Sequence, residues 1–461
     1  MTKKFSLPRG TADILPDEIA AWQDLEETTR DILKIYRYQE IRTPVFEETG
    51  LFVRSLGGAS DVVQKQMLNL SSMKEVSETS LKNEGLSLRP EATASIVRSY
   101  IQNSFDKKES LSKLYYIGPM FRGERPQKGR LRQFHQIGVE AIGPNSSIPS
   151  LDAEIIALSV HLLTSFGLKD LKLKINSLGT KEDKEKFSGL LREQLRKNIS
   201  SLCEDCQQRF ERNVFRILDC KNEGCKRIVA GLSLGQTHLS KFSQDYFSEV
   251  KKALELWNVP YKVSPTLVRG LDYYTHTVFE ISYEALGSQD ALGAGGRYDG
   301  LVAELGGDDK GNIGAMGFAL GMERILLVKS KEAVKSSLEV FIVYHKQSME
   351  LNYTKSSAES PQEYTAQHAK EFGSLMKSKA YQEAFVLLNN IRKVGISADM
   401  SYFPASMKSQ MRLADKLGAK RVIIIGENEL KENVVMLKDM EKGTQEKVGW
   451  NSVIKVLKNN K

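Results

Sequence analysis

The sequence predicts an α+β protein: an antiparallel sheet flanked by helices, interrupted by a helical insertion and followed by a separate α/β domain. Three observations carry this reading. Short strand-like runs recur up to about residue 335, a charged helical stretch from about 180 to 260 breaks their rhythm, and strand alternates with helix beyond about 338.

Trp22, Leu25, Thr29, Ile32, Leu33 and Tyr36 fall at three- and four-residue steps, so Ile19 to Tyr36 reads as an amphipathic helix. Ile41-Arg42-Thr43-Pro44-Val45-Phe46 follows as a short strand. Pro44 has no N–H for a ladder, which puts it at a strand end or an edge and marks an interface edge. Leu86 to Arg89, Lys113 to Ile117, Phe134 to Glu140 and Val278 to Ser282 are further strand-like runs, read as members of one large antiparallel sheet. Lys, Glu and Arg are dense across Lys181 to Arg196, where that pattern gives way to an inserted helical domain. The first domain is thus 1–335, interrupted by 180–260. The second, 338–461, runs from Val340-Phe341-Ile342-Val343-Tyr344 through a helix near Glu383 to Val394, another strand, and a helix near Ser406 to Leu417, to Val422-Ile423-Ile424-Ile425-Gly426. Lys346 to Gln367, with Ser-Ser-Ala-Glu-Ser-Pro at its centre, reads as a loop inside that domain. There is no internal repeat.

The 461 residues are 41% hydrophobic and 27% charged, the balance of a multidomain globular protein with material for two or three cores. A formal net charge of +8 suits a polyanionic partner, although many basic proteins never touch nucleic acid. No uncharged apolar run approaches the roughly 18 residues of a membrane span, so no membrane partner is expected. The N-terminus has no apolar stretch behind its two lysines, and the cytoplasm is the expected compartment. The four cysteines all lie between Cys203 and Cys225, which is not how a disulfide framework would be spread over such a chain.

Three segments carry the chemistry. Leu86-Ser87-Leu88-Arg89-Pro90-Glu91-Ala92-Thr93 ends a strand in a proline and then offers a carboxylate and a hydroxyl, a corner suited to an ammonium group; it equally reads as a helix start, with Glu91 at the positive end of the dipole. Gly118 to Glu140 reads as two strands around a loop with five cationic side chains from Arg122 to Arg132. Arginine forks bind phosphate oxygens bidentately, and Phe121 or Phe134 offers a base an aromatic face; the plainer reading is a solvated basic hairpin. Gly314-Ala315-Met316-Gly317-Phe318-Ala319-Leu320-Gly321-Met322-Glu323-Arg324 is a glycine-rich strand entering a helix, where small residues admit a ligand close to the backbone.

In order and in kind, these segments resemble the three motifs of class II aminoacyl-tRNA synthetases. Two more blocks, Leu267-Val268-Arg269-Gly270-Leu271-Asp272-Tyr273-Tyr274 and Gly293-Ala294-Gly295-Gly296-Arg297-Tyr298-Asp299-Gly300-Leu301, resemble the histidine-specific motifs of the histidyl-tRNA synthetase family. The resemblance runs nearly end to end and is weakest in the insertion and from about Lys346 to Gln367. It implies a histidine–tRNA ligase that activates L-histidine with ATP and Mg2+ and passes it to tRNA-His. By position it puts Glu91, Thr93 and Gln136 around the substrate ammonium, and Glu140 with Tyr274 on the imidazole nitrogens, Tyr273 lining the pocket. It also puts Arg122 and Arg269 at the α-phosphate, and Arg324 at the γ-phosphate. Neutral imidazole has one donor and one acceptor, so a carboxylate and a phenol satisfy both. His135 has no catalytic part in this reading and is expected to be a packed or hydrogen-bonded strand residue. The resemblance further implies a homodimer through the Pro44 region and a C-terminal anticodon-binding domain. Lys408, Arg412, Lys416, Lys420 and Arg421 would form its basic face, unless they are simply a solvated helix surface.

Cys203-x2-Cys206, thirteen residues, then Cys220-x4-Cys225 has the count and approximate spacing of a structural four-thiolate zinc site, or is a group of four reduced thiols; the family pattern does not require zinc. Two other functions stand against the ligase: a catalytically dead relative that regulates ATP phosphoribosyltransferase, and a noncatalytic RNA-binding protein. Intact Arg269 and the C-terminal α/β domain argue against the first, and the polar pocket set against the second.

Overall fold

Trp22, Leu25, Thr29, Ile32 and Leu33 are the buried residues of the first helix, Ile19–Ile35, so the three- and four-step apolar pattern is the face it lays on the core. The computed structural model describes residues 5–459 apart from 59, 71–84, 128, 145, 308–312, 330–337, 346–376 and 403–404. The chain divides into two compact units, Met1–Glu332 and Ala333–Lys461.

Strands of the first unit are, in chain order, β1 (Gln39–Glu40), β2 (Phe46–Glu48), β3 (Leu68–Leu70), β4 (Leu86–Leu88), β5 (Ser112–Phe121) and β6 (Gln133–Pro144). They continue with β7 (Lys172–Ser177), β8 (Lys262–Val263), β9 (Thr275–Ser282), β10 (Ala291–Arg297) and β11 (Ile313–Gly321). Eight of them form one sheet in the order β1-β5-β6-β11-β10-β9-β7-β8. Its middle is antiparallel, and only the edge pairs β1–β5 and β7–β8 are parallel. One face is covered by Ile19–Ile35 and by two packed helices, Pro149–Ser165 and Lys241–Leu256. Ile137, Val139 and Ala141 of β6 and Met316, Phe318 and Leu320 of β11 point into that core. Side chains alternate along a strand, so the even-numbered residues of β6 face the other way.

Two expectations need correction. Leu86–Leu88 does not join the large sheet; β4 lies between β2 and β3 in a three-stranded sheet of its own. Nor is Ile41 to Phe46 one strand. The Ile41 N–H still reaches Tyr115 O at 2.8 Å, but the chain then leaves the ladder and β2 begins only at Phe46. Pro44 explains the break: it cannot donate, and the Arg89 guanidinium takes up the carbonyls of Thr43 (3.0 Å) and Pro44 (3.4 Å).

Between β7 and β8 lie the helices Lys181–Leu195, Glu204–Arg212, Glu223–Ala230 and Lys241–Leu256. The first begins with a capping box: Thr180 Oγ1 accepts from the Asp183 N–H, and Asp183 Oδ2 accepts from the Thr180 N–H. Phe187, Leu191, Leu195, Phe210 and three of the cysteines form a small core for the first three helices. The fourth buries Tyr246, Phe247, Val250 and Leu254 in the main core instead.

The second unit has β12 (Val340–Tyr344), β13 (Ala398–Met400), β14 (Arg421–Ile425), β15 (Val434–Asp439) and β16 (Gln445–Gly449) in the order β13-β12-β14-β15-β16. The first three are parallel and the last two antiparallel. All five residues of β12 are buried, as a strand covered on both faces requires. The helices Lys379–Lys393 and Met407–Lys416 fall close to the expected positions. The loop read at Lys346 to Gln367 lies outside the described residues.

Candidate active site

On the face of the large sheet opposite the three helices is a cavity of about 530 Å³. All nine non-cysteine candidates line it. Period-two alternation brings Gln136 and Glu140 there, because Ile137, Val139 and Ala141 take the core side of β6. Glu140 stands opposite Gly317 of β11, and a Cβ on Gly317 would come within 1.8 Å of Glu140 Oε2, so only glycine leaves room for this carboxyl.

The Glu140 side chain is buried. The Thr93 hydroxyl donates to its Oε1 at 2.8 Å and the Tyr298 hydroxyl donates to its Oε2. Burial pushes its pKa up to about 8 against those two hydrogen bonds, with the neighbouring Glu91 charge adding to the rise. Tyr273 and Tyr274 also line the cavity, their ring centroids 4.6 Å apart, with Tyr298 5.6 Å from Tyr273. Tyr298 was not among the residues picked from the sequence for a role. It lies in the glycine-rich block Gly293 to Leu301, where nothing in the linear pattern says that its hydroxyl reaches a carboxyl so distant along the chain.

Glu91 sits at a helix start and in the cavity lining at once. Its oxygens accept from the N–H groups of Thr93 (2.7 Å) and Ala94 (3.0 Å) at the start of the helix Thr93–Gln102, and it also lines the cavity. A carboxylate offers about four lone-pair sites, so two remain for a donor in the cavity. Burial raises its pKa, opposed by the same hydrogen bonds. Gln136 Oε1 is buried with no protein partner among the described residues.

Three arginines reach the cavity. Arg122 gives its Nε to Pro90 O at 2.9 Å and stacks its guanidinium 5.2 Å from the centroid of Phe134. Arg324 gives Nε to Gly129 O (3.0 Å) and Nη1 to Ala291 O (2.6 Å). Among the described residues neither forms an ion pair, and burial lowers the pKa of both. Arg269 pairs with Glu280 at 2.9 Å. Half-buried guanidinium groups held by neutral carbonyls are costly to leave without a counter-charge, so this part of the cavity suits an anion. His135, by contrast, is engaged in structure: its N–H and Nδ1 meet Glu323, and its ring lies edge-on to Trp22. The insertion also contributes to the lining, through Arg216 and Asp219, which no motif announced.

The four cysteine sulfurs lie within 4.8 Å of one another, with Cys203 Sγ and Cys220 Sγ 3.8 Å apart. That is too far for a disulfide. Zinc–sulfur bonds of about 2.3 Å put the corners of a tetrahedron about 3.8 Å apart. Two backbone N–H groups already point at sulfur, Cys203 N to Cys225 Sγ (3.3 Å) and Asn222 N to Cys220 Sγ (3.4 Å). Among the described residues no helix is long and apolar enough to cross a membrane.

Kinship agrees with this geometry. The histidyl-tRNA synthetase family model matches residues 10–325, and an anticodon-binding domain model matches residues 368–460. The chain is 42% identical to a histidine–tRNA ligase of Geobacillus sp. (strain WCH70), covering 98% of this chain and 99% of that one. It is 42% identical to another, from Lysinibacillus sphaericus (strain C3-41), over the same shares. Among solved structures, apo S. aureus histidyl-tRNA synthetase superposes with a TM-score of 0.72 at 34% identity, covering 99% of this chain and 100% of that one. A cavity lined by a buried carboxyl, phenols and three arginines, in a chain of this kinship, has one assignment: the chain belongs to the histidyl-tRNA synthetase family.

Proposed function

We infer that this chain activates L-histidine with ATP, releasing pyrophosphate, and then transfers histidine from the adenylate to the 3′ end of tRNA-His, releasing AMP. The observation that carries the reading is one cavity lined both by a buried carboxyl with phenols and by Arg122 and Arg324, which form no ion pair among the described residues. The imidazole lies against Glu140 and Tyr274, with Tyr273 lining the pocket, and Glu91, Thr93 and Gln136 surround the ammonium. In the first step a carboxylate oxygen of histidine bonds to the α-phosphorus of ATP as the bond to the β-phosphate oxygen breaks. Arg122 and Arg269 hold the charge that builds on the α-phosphate oxygens, and Arg324 binds the γ-phosphate; Mg2+ enters as the counter-ion of ATP. In the second step the terminal ribose hydroxyl attacks the carbonyl carbon and AMP departs. Neither step requires a protein nucleophile, so fixed geometry and electrostatics supply the rate.

The domain reading attached to this function is a catalytic domain, 1–335, interrupted by a helical insertion at 180–260, and an anticodon-binding domain, 338–461. Lys408, Arg412 and Lys416 recur every four residues on the exposed side of their helix, which supports a basic reading face with Lys420 and Arg421. A homodimer through the Pro44 region is supported by the small sheet. Phe46, Leu70 and Leu86 share one of its faces and stay 46%, 43% and 40% exposed, an apolar surface suited to a second copy. Cys203, Cys206, Cys220 and Cys225 fit one structural Zn2+ by donor type and spacing, with no open position for chemistry.

The test is ATP–pyrophosphate exchange by the purified protein with each of the twenty amino acids supplied separately. Exchange with histidine alone is expected, and no exchange with any would leave a regulatory relative as the better reading. Arg269→Ala should cut histidine-dependent exchange by about 10²- to 10³-fold with tRNA binding retained. Wild-type exchange in that variant would remove Arg269 from the mechanism.

A further inference from the structure

The segment enclosed by the second and third cysteines carries more than the insertion's own fold requires. Between Cys206 and Cys220 three side chains leave the insertion and end on loops of the sheet domain. Arg209 and Arg216 both reach Asp61 Oδ2, at 3.3 and 2.8 Å, and Asn213 gives its amide to Asp272 Oδ1 at 2.8 Å. Asp61 opens the helical turn Val62–Gln66, and the Gln66 carbonyl accepts from the Gly123 N–H at 2.6 Å, one residue after Arg122. Asp272 follows Arg269 by three residues, and the Arg216 guanidinium packs so closely on Gly270 that a Cβ there would come within 3.0 Å of its Nη1. The loops that carry Arg122 and Arg269 therefore both lean on one short stretch of chain, and the cysteine cluster brings the sulfurs at the two ends of that stretch within 4.8 Å of each other.

We propose that a Zn2+ ion held by Cys203, Cys206, Cys220 and Cys225 fixes the 206–220 segment as a brace, so that Arg209, Asn213 and Arg216 are positioning residues for the loops bearing Arg122 and Arg269. This rests on the zinc reading above and adds a link from that centre to adenylation. Side chains outside the ligand sphere that orient reacting groups change rates by about 10- to 100-fold, and the brace acts in that range. If the centre served the insertion's fold alone, its loss and the loss of Asp61 would be independent injuries.

The experiment uses the full chain as wild type, Asp61→Asn, Cys220→Ser and the double variant. Zinc content is measured by elemental analysis, thermal midpoint by calorimetry, and kcat and KM by histidine-dependent pyrophosphate exchange. Expected are one zinc per chain in wild type and Asp61→Asn, and kcat lower by about tenfold in each single variant with KM for ATP little changed. The double variant should be no slower than Cys220→Ser, because metal and Asp61 lie on one line of action. A product of the two losses, about hundredfold, would overturn the brace while leaving the zinc site standing. Wild type without zinc would overturn both. Should Cys220→Ser fail to fold, stripping zinc with a strong chelator from the folded proteins replaces it: wild type should lose about tenfold and Asp61→Asn nothing further, and equal losses in both would overturn the brace.

Discussion

Glu140 is where burial and function meet in a single group. Its pKa is pushed up to about 8 by burial, against an ordinary value near 4.5 in the unfolded chain. Between those two values the folded protein keeps a proton that the unfolded chain gives up. Stability from this group is therefore complete below about pH 4.5, falls as pH rises, and levels off above about pH 8. Glu140→Gln cannot titrate, so the urea midpoint of wild type should fall steadily relative to the variant's across this window; parallel midpoint curves would place the Glu140 carboxyl at an ordinary pKa. On the proposed reading the same variant should lose about 10²-fold or more in kcat/KM for histidine, since an amide has one acceptor oxygen where Glu140 has two, and both of those already receive a hydroxyl. A different economy governs Arg297 and Asp152, which pair with both side chains fully buried. Arg297 also meets Asp299 and the Ser146 carbonyl, so its charge is fully answered. Asp152→Ala strips the main partner from a buried cation and should cost about 3–5 kcal/mol by urea unfolding, with exchange activity per folded chain little altered.

Strands decide where these residues go. Gly317→Ala puts a methyl where Glu140 Oε2 sits, and β11 cannot retreat because it is paired on both sides, with β6 and β10. Loss of histidine binding by about tenfold or more is expected, read as a raised KM, together with an overpacking cost of about 1–3 kcal/mol. Much of this architecture was legible because it is written in local patterns. The first helix shows its apolar face at three- and four-residue steps, β12 its uninterrupted apolar run, and β6 its alternation, which alone places Gln136 and Glu140 together. What escaped is set by contacts between distant segments. Leu86–Leu88 looks like any other short strand, and only its pairing with β2 and β3 removes it from the large sheet. Tyr298 and Arg216 were missed as cavity residues for the same reason: one meets its carboxyl across the sheet, and the other arrives from an insertion dense in charge that carries no motif. Glycine-rich β10 lacks the β-branched and aromatic residues that usually advertise a strand, since neighbouring strands come too close at Gly293, Gly295 and Gly296 to admit them.

At the scale of the molecule, every residue lining the cavity lies between Asp61 and Arg324, inside the first compact unit. A chain ending at Glu332 should thus keep histidine-dependent pyrophosphate exchange within a few-fold of the intact protein. It should lose tRNA charging by about 10²-fold or more, as the second of two linked contacts on the tRNA is removed. Charging at the full rate by the shortened chain would show that the second unit adds nothing to tRNA capture. The strand order also bears on synthesis. Hairpin β5–β6 can close as soon as it emerges, but the free side of β6 is completed only by β11, so a strand ending at Pro144 waits for one that begins at Ile313. At about 5–20 residues per second the ribosome needs roughly 10–30 s to cover that gap. Throughout that interval the nascent chain presents an open, half-paired strand beside others of its kind on the polysome, which makes this edge the place where a holdase chaperone would be needed and where slow translation would show first as aggregation.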